Sequence, residues 1–101
     1  MKIYKISQNV NNNYDTYDSA IVCAENEEEA KTISPDNFYP YDEKTKTFHW
    51  WTNQGTKNEQ YEPENICNSW CSRIEQVDVE YIGEAKKGMK KGVILASFNA
   101  G

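Results

Sequence analysis

Asn9, Asn12, Tyr14, Asp15, Tyr17 and Asp18 bring amides, carboxylates and phenols into one short stretch just ahead of an apolar run. Amides donate and accept hydrogen bonds and phenol rings offer stacking faces, so this set could hold a small polar, nucleotide-like ligand. The plainer account is a loop whose Asn and Asp side chains bond their own backbone. A second polar group, Ser97 and Asn99, follows the last apolar run. The two groups converge if those apolar runs are neighbouring strands; otherwise Ser97–Gly101 is an ordinary frayed tail.

Trp50 and Trp51, flanked by Phe48 and the sole histidine, His49, form the second candidate. Adjacent residues of a strand face opposite sides, so two tryptophans do not easily share one thin core. An exposed one is a natural anchor for a protein partner. The alternative buries one in the core and the other beneath the polar stretch 53–65.

Cys67 and Cys71, one helical turn apart, could join His49 and Cys23 as four metal ligands by count. Structural zinc sites favour paired, short-spaced ligands, and Cys23 sits in an apolar run where a buried thiol is ordinary, so no metal and no cofactor is expected. No nucleophile elbow, phosphate loop, H-E-x-x-H or dinucleotide fingerprint is present, and His49 has no evident nucleophile to activate. The expected protein is not an enzyme.

These residues need a scaffold, and 101 residues suit one domain, 1–101. Aromatic residues make up 13% of the chain, enough to argue against disorder. The net charge is −5 and uneven: residues 1–82 hold 15 acidic and 7 basic side chains, residues 83–101 hold 1 and 4. An acidic majority repels phosphate backbones, so nucleic acid is not an expected partner. Neither a signal-peptide core nor a membrane-length apolar run is present, so a cytoplasmic protein without a membrane partner is expected. Three cysteines are too few for a disulfide framework, and reduced thiols are expected.

Ile3–Ile6 reads as a first strand, Ala20–Ala24 as a central strand buried on both faces, and Asn26–Glu29 as a capped helix start closed before Pro35. That cap also explains the acidic run Glu25–Glu29, which is too small for a mimic of DNA. Thr45–Thr52 reads as a strand with one face open to a ligand. Pro63 can open a second short helix in which Ile66 and Trp70 lie four apart, and Val77, Val79 and Tyr81 alternate as a half-buried strand. Val93–Phe98 is a continuous apolar run that reads as another central strand. The expected fold is α+β, a small antiparallel or mixed sheet of about five strands with a helix on one face.

The stretch Asn9–Ala30, an Asn-rich loop, Tyr14-Asp15-Thr16-Tyr17-Asp18, an apolar strand and a Glu-Glu-Glu-Ala helix, resembles small uncharacterised proteins of phages and prophages. Gly92–Gly101 resembles their C-termini. The resemblance brings no activity with it, but it implies a setting in which small proteins bind host enzymes, including those of host defence. The preferred expectation is therefore a non-enzymatic modulator that binds a host protein through the Trp50–Trp51 region, the polar stretch 53–65 and local acidic residues. The other is a small-ligand binder that uses Asn12–Asp18 and Ser97–Asn99.

Overall fold

A computed structural model describes residues 1–12, 15–36, 39–49 and 69–99. Its main sheet has four antiparallel strands in the order β5-β1-β2-β6: β1 is Lys2–Ser7, β2 Thr16–Ala24, β5 Asp78–Glu84 and β6 Gly92–Asn99. A separate two-stranded hairpin pairs β3, Tyr41–Asp42, with β4, Thr47–Phe48. One helix, α1 at Glu27–Lys31, and a 3₁₀ turn at Ile74–Gln76 complete the described elements.

β1 shows why these residues form a sheet. Tyr4 and Ile6 are buried while Lys2 and Lys5 are exposed, the two-residue period of a strand with one covered face. Their direct partners on β2 are Val22 and Ala20, also buried, so the β1–β2 register joins apolar side to apolar side. Phe48, Trp70, Cys71, Ala30, Ile33 and Val77 complete the same core.

The helix begins as its sequence predicts. Asn26 Oδ1 accepts the Glu29 N–H at 2.8 Å, and the Glu29 carboxylate turns back to accept the Glu25 N–H at 2.9 Å. Thr32 closes the other end, its hydroxyl donating to the Glu29 carbonyl at 2.7 Å. Ala30 and Ile33 face the core. Five residues make a helix of only about 7.5 Å, and it lies over β1, β2 and β5.

That limited cover corrects one expectation. Val93–Phe98 is not a central strand: β6 ends the sheet and pairs only with β2 among the described residues. Its continuous apolar run matches a doubly buried strand, but the sheet is wider than the described elements packed on it. Ala20–Ala24 is central as expected, with Val22, Cys23 and Ala24 buried between β1 and β6.

Other boundaries differ as well. Among the described residues the strand count is four in the main sheet plus two in the hairpin, where about five in one sheet were expected. The Thr45–Thr52 strand begins only at Thr47, because Glu43–Lys46 form the turn of the hairpin, with Lys46 at φ 61°. Phe48 and His49 are both buried, so neither face of the described part of that strand is open. The helix expected from Pro63, with Ile66, falls outside the described residues, and Trp70 at its expected end sits in a bend.

Residues 69–74 tie the two sheets together. The Tyr17 N–H donates to the Ser69 carbonyl at 2.7 Å, Phe48 donates to Ser72 at 2.9 Å, and Ile74 donates to Lys46 at 3.2 Å. Residues 85–91 cross one end of the main sheet from β5 to β6. Their tight turn uses Gly88 at φ 93°, a conformation L side chains rarely adopt.

Candidate functional site

The two polar groups singled out in the sequence do meet. Thr16 pairs with Asn99, Tyr17 with Phe98 and Ser19 with Ser97, which places the start of β2 beside the end of β6. Asp18 is the extra residue where the register slips between Tyr17 and Ser19. It is exposed, and its carboxylate accepts the Ser19 hydroxyl at 3.3 Å. The Tyr17 and Phe98 rings lie 4.8 Å apart at 59°.

The Asn-rich stretch is more ordered than a generic loop, and the organiser is a residue the sequence reading passed over. Gln8 is buried, and its amide is fully used: Nε2 donates to the Asn11 and Tyr17 carbonyls at 2.9 Å each. Oε1 accepts the Val10 and Asn11 N–H groups at 3.0 and 2.8 Å. Asn12 is exposed and donates to the Asn9 carbonyl at 3.1 Å, which is the backbone-bonding role of its plainer account. Asp15 takes a left-handed φ of 60°, a conformation that short polar side chains tolerate. Tyr14 lies outside the described residues, and Tyr17 and Asp18 belong to strand β2 instead of a loop.

The feature that dominates this end of the molecule is β6 itself. Val93, Ile94, Leu95 and Phe98 are 42%, 45%, 68% and 47% exposed, and the strand Gly-Val-Ile-Leu-Ala-Ser-Phe-Asn carries no charge. Ile94 is the extra residue of a second register slip, between the pairs Ile21–Leu95 and Val22–Val93. Beside it a shallow cavity of about 160 Å³ runs between β2 and β6, lined by Ser19, Ala20, Ile21, Leu95, Ala96 and Ser97.

The opposite edge is built differently. β5 exposes Asp78, Glu80 and Glu84 along with Tyr81 and Ile82, and charged residues are a usual protection of a sheet edge. Among the described residues, one edge of this sheet is thus guarded by carboxylates and the other is uncharged and apolar.

A second candidate is the hairpin's buried pair. His49 Nε2 lies 2.8 Å from Asp42 Oδ2, and both side chains are almost wholly removed from solvent. Asp42 also accepts the Lys44 N–H at 2.9 Å, and its carbonyl accepts Lys46 N–H at 2.8 Å. The pair closes the hairpin from within. Trp50 and Trp51, the partner anchors expected from the sequence, lie outside the described residues, as does Cys67.

The two cysteines that are described have ordinary surroundings. The Cys23 sulfur lies 3.5 Å from that of Met1, and the Cys71 thiol donates to the Arg73 carbonyl at 3.5 Å. Among the described residues no group of three or more His, Cys, Asp or Glu is placed to hold a metal ion, and no helix is long and apolar enough to cross a membrane. Comparison with protein-family models, curated proteins and solved structures finds no match to this chain.

Proposed function

We propose that this protein works by binding another polypeptide along strand β6, without chemistry of its own. The observation that carries the reading is the contrast between its edges: β6 is uncharged and exposes four large apolar side chains, while β5 carries three carboxylates. An edge strand offers unpaired N–H and C=O groups in a row, and a partner strand that joins it gains backbone hydrogen bonds together with apolar contact. Tyr17 and Phe98 supply aromatic surface beside that edge, and the cavity between Ile21 and Leu95 offers a seat for one partner side chain.

The resemblance of Asn9–Ala30 and Gly92–Gly101 to phage and prophage proteins supports a modulator that acts on a host protein, with host defence proteins as one such class. A small-ligand site at Asn12–Asp18 and Ser97–Asn99 has less in its favour, because Asn12 is engaged with its own loop and Tyr17 with Phe98.

A photo-reactive residue placed at Leu95 tests the reading, with the same residue at Glu80 on β5 as the control. Cross-links to a polypeptide from Leu95 and few from Glu80 are expected in cells that express the protein. Equal yields from the two positions, or none from either, would contradict it.

A further inference from the structure

We infer that the cavity between β1, β5 and the start of α1 binds an alkylammonium ion, held by Tyr4, Tyr81, Glu27 and Glu84. The site lies toward the opposite edge of the sheet from β6 and is independent of the reading of that strand.

The cavity measures about 580 Å³ and is lined by Lys2, Tyr4, Asn26, Glu27, Tyr81 and Glu84. Sites for small ligands usually span about 300 to 1,000 Å³. An irregularity in β5 assembles the lining. Tyr81 and Glu84 are three apart and would face opposite sides of a regular strand. The register slips between the pairs Ile3–Gly83 and Tyr4–Tyr81, leaving Ile82 as an extra residue, so Tyr81 stands opposite Tyr4 and Glu84 opposite Lys2. Tyr4 and Lys2 are two apart on β1, and all four residues share the face over which α1 packs, with Glu27 in the first turn of that helix.

Tyr4 is the residue that points to a ligand. It is only 3% exposed, and its hydroxyl has no hydrogen-bond partner among the described residues. Trp70 Nε1 is the one sealed side-chain nitrogen or oxygen there without a partner, so the Tyr4 hydroxyl is not sealed and faces the cavity that Tyr4 lines. A phenol oxygen so placed accepts a hydrogen bond from an incoming N–H group. The Tyr4 and Tyr81 rings meet at 64° with centroids 5.8 Å apart, and the half-exposed Tyr81 ring offers a face to a cation.

Charge selects the sign of the ligand. Neither Glu27 nor Glu84 is ion-paired among the described residues, and their two carboxylates outnumber the one lining cation, Lys2. Lys2 is exposed and forms no ion pair with either, although the register sets it across from Glu84. Lys86 and Lys87 follow Glu84 without lining the cavity, and Lys91 is drawn to Glu29, 3.8 Å away. An anion would face two carboxylates. A primary ammonium meets every feature: its charge suits the carboxylates, its N–H groups suit the Tyr4 hydroxyl, and its alkyl stem lies on Tyr81.

An NMR titration of the isotope-labelled full chain with n-butylammonium provides the test. The amides of Tyr4, Glu27, Tyr81 and Glu84 are expected to shift together with a dissociation constant of about 1 mM, and butyrate should move none of them. Tyr4→Phe removes only the hydroxyl, so it should weaken butylammonium by about three- to tenfold while leaving the denaturant midpoint unchanged. Tetramethylammonium has no N–H to donate, and Tyr4→Phe should leave its binding as it was. Lys2→Gln removes the competing cation and should tighten butylammonium. Nα-acetyl-lysine methylamide distinguishes the sources of the group: tighter binding than butylammonium identifies a lysine side chain as the occupant, and weaker binding a free amine.

Butylammonium that shifts none of these amides overturns the site. So does binding that Tyr4→Phe leaves unchanged. Weakening by Lys2→Gln overturns it as well, because that variant would then have removed an attraction to a negative group on the ligand.

Discussion

Tyr17 and Phe98 face each other across the β2–β6 pair with ring centroids 4.8 Å apart, joining a residue at the acidic start of β2 to one at the end of the apolar strand β6. The contact holds the end of β6 to its only neighbour among the described residues, and Phe98 remains about half exposed.

That contact predicts a measurable coupling. Tilted aromatic pairs are worth about 0.5 to 1.5 kcal/mol beyond the area they bury. In a double-mutant cycle of Tyr17→Ala and Phe98→Ala, urea unfolding should give a coupling of about 1 kcal/mol. Strict additivity would mean that the rings are neighbours without interaction.

Gln8 and Asn12 should respond very differently to truncation. Gln8→Ala removes four hydrogen bonds from a buried site and leaves two carbonyls and two N–H groups without that partner, so a loss of about 2 to 3 kcal/mol is expected. Asn12→Ala removes one exposed bond and should stay within about 0.5 kcal/mol of the wild type. Denaturant midpoints check both, and a larger cost at Asn12 would refute the assignment of Gln8 as the organiser.

How far this was legible beforehand varies with the physics involved. The helix start was readable, because Asn26 and Glu29 act through local spacing. β1 and the centre of β2 were readable from apolar pattern. The meeting of Tyr17 with Phe98 and of Ser19 with Ser97 could be stated only as a condition, since it depends on strand order, which no local pattern encodes. For the same reason β6 was misplaced: an apolar run looks alike whether a second layer covers it or not. Gln8 carries no periodic signal, and the Asp42–His49 pair depends on a hairpin whose first strand is only two residues long.

Tyr41 links stability to pH. Burial first, then the nearby carboxylates of Glu43 and Asp42, raises its phenol above the ordinary 10.0. The folded state therefore holds that proton more tightly than the unfolded chain. The stabilisation is complete below the unfolded value of about 10 and is lost as pH rises through the folded one. Thermal unfolding should show an alkaline fall in midpoint above about pH 10 that is smaller in Tyr41→Phe. Identical alkaline profiles would contradict the assignment.

The buried pair in the hairpin gives a stability prediction. His49→Ala and Asp42→Ala each remove one hydrogen-bond partner from a buried group, so each should cost about 2 kcal/mol. Together they should cost clearly less than the sum of the two, because both changes remove the same contact. Additive losses by denaturant unfolding would show that the two act separately.

The central claim is that β6 is an edge made to be occupied, and amide hydrogen exchange of the wild-type chain reads it most directly. The amides of β6 that are not bonded to β2 should exchange nearly as fast as those of an unprotected chain, whereas the amides of β6 bonded to β2 should be strongly protected. Protection of every β6 amide in the purified protein would mean that the chain already covers this edge, and would contradict the claim.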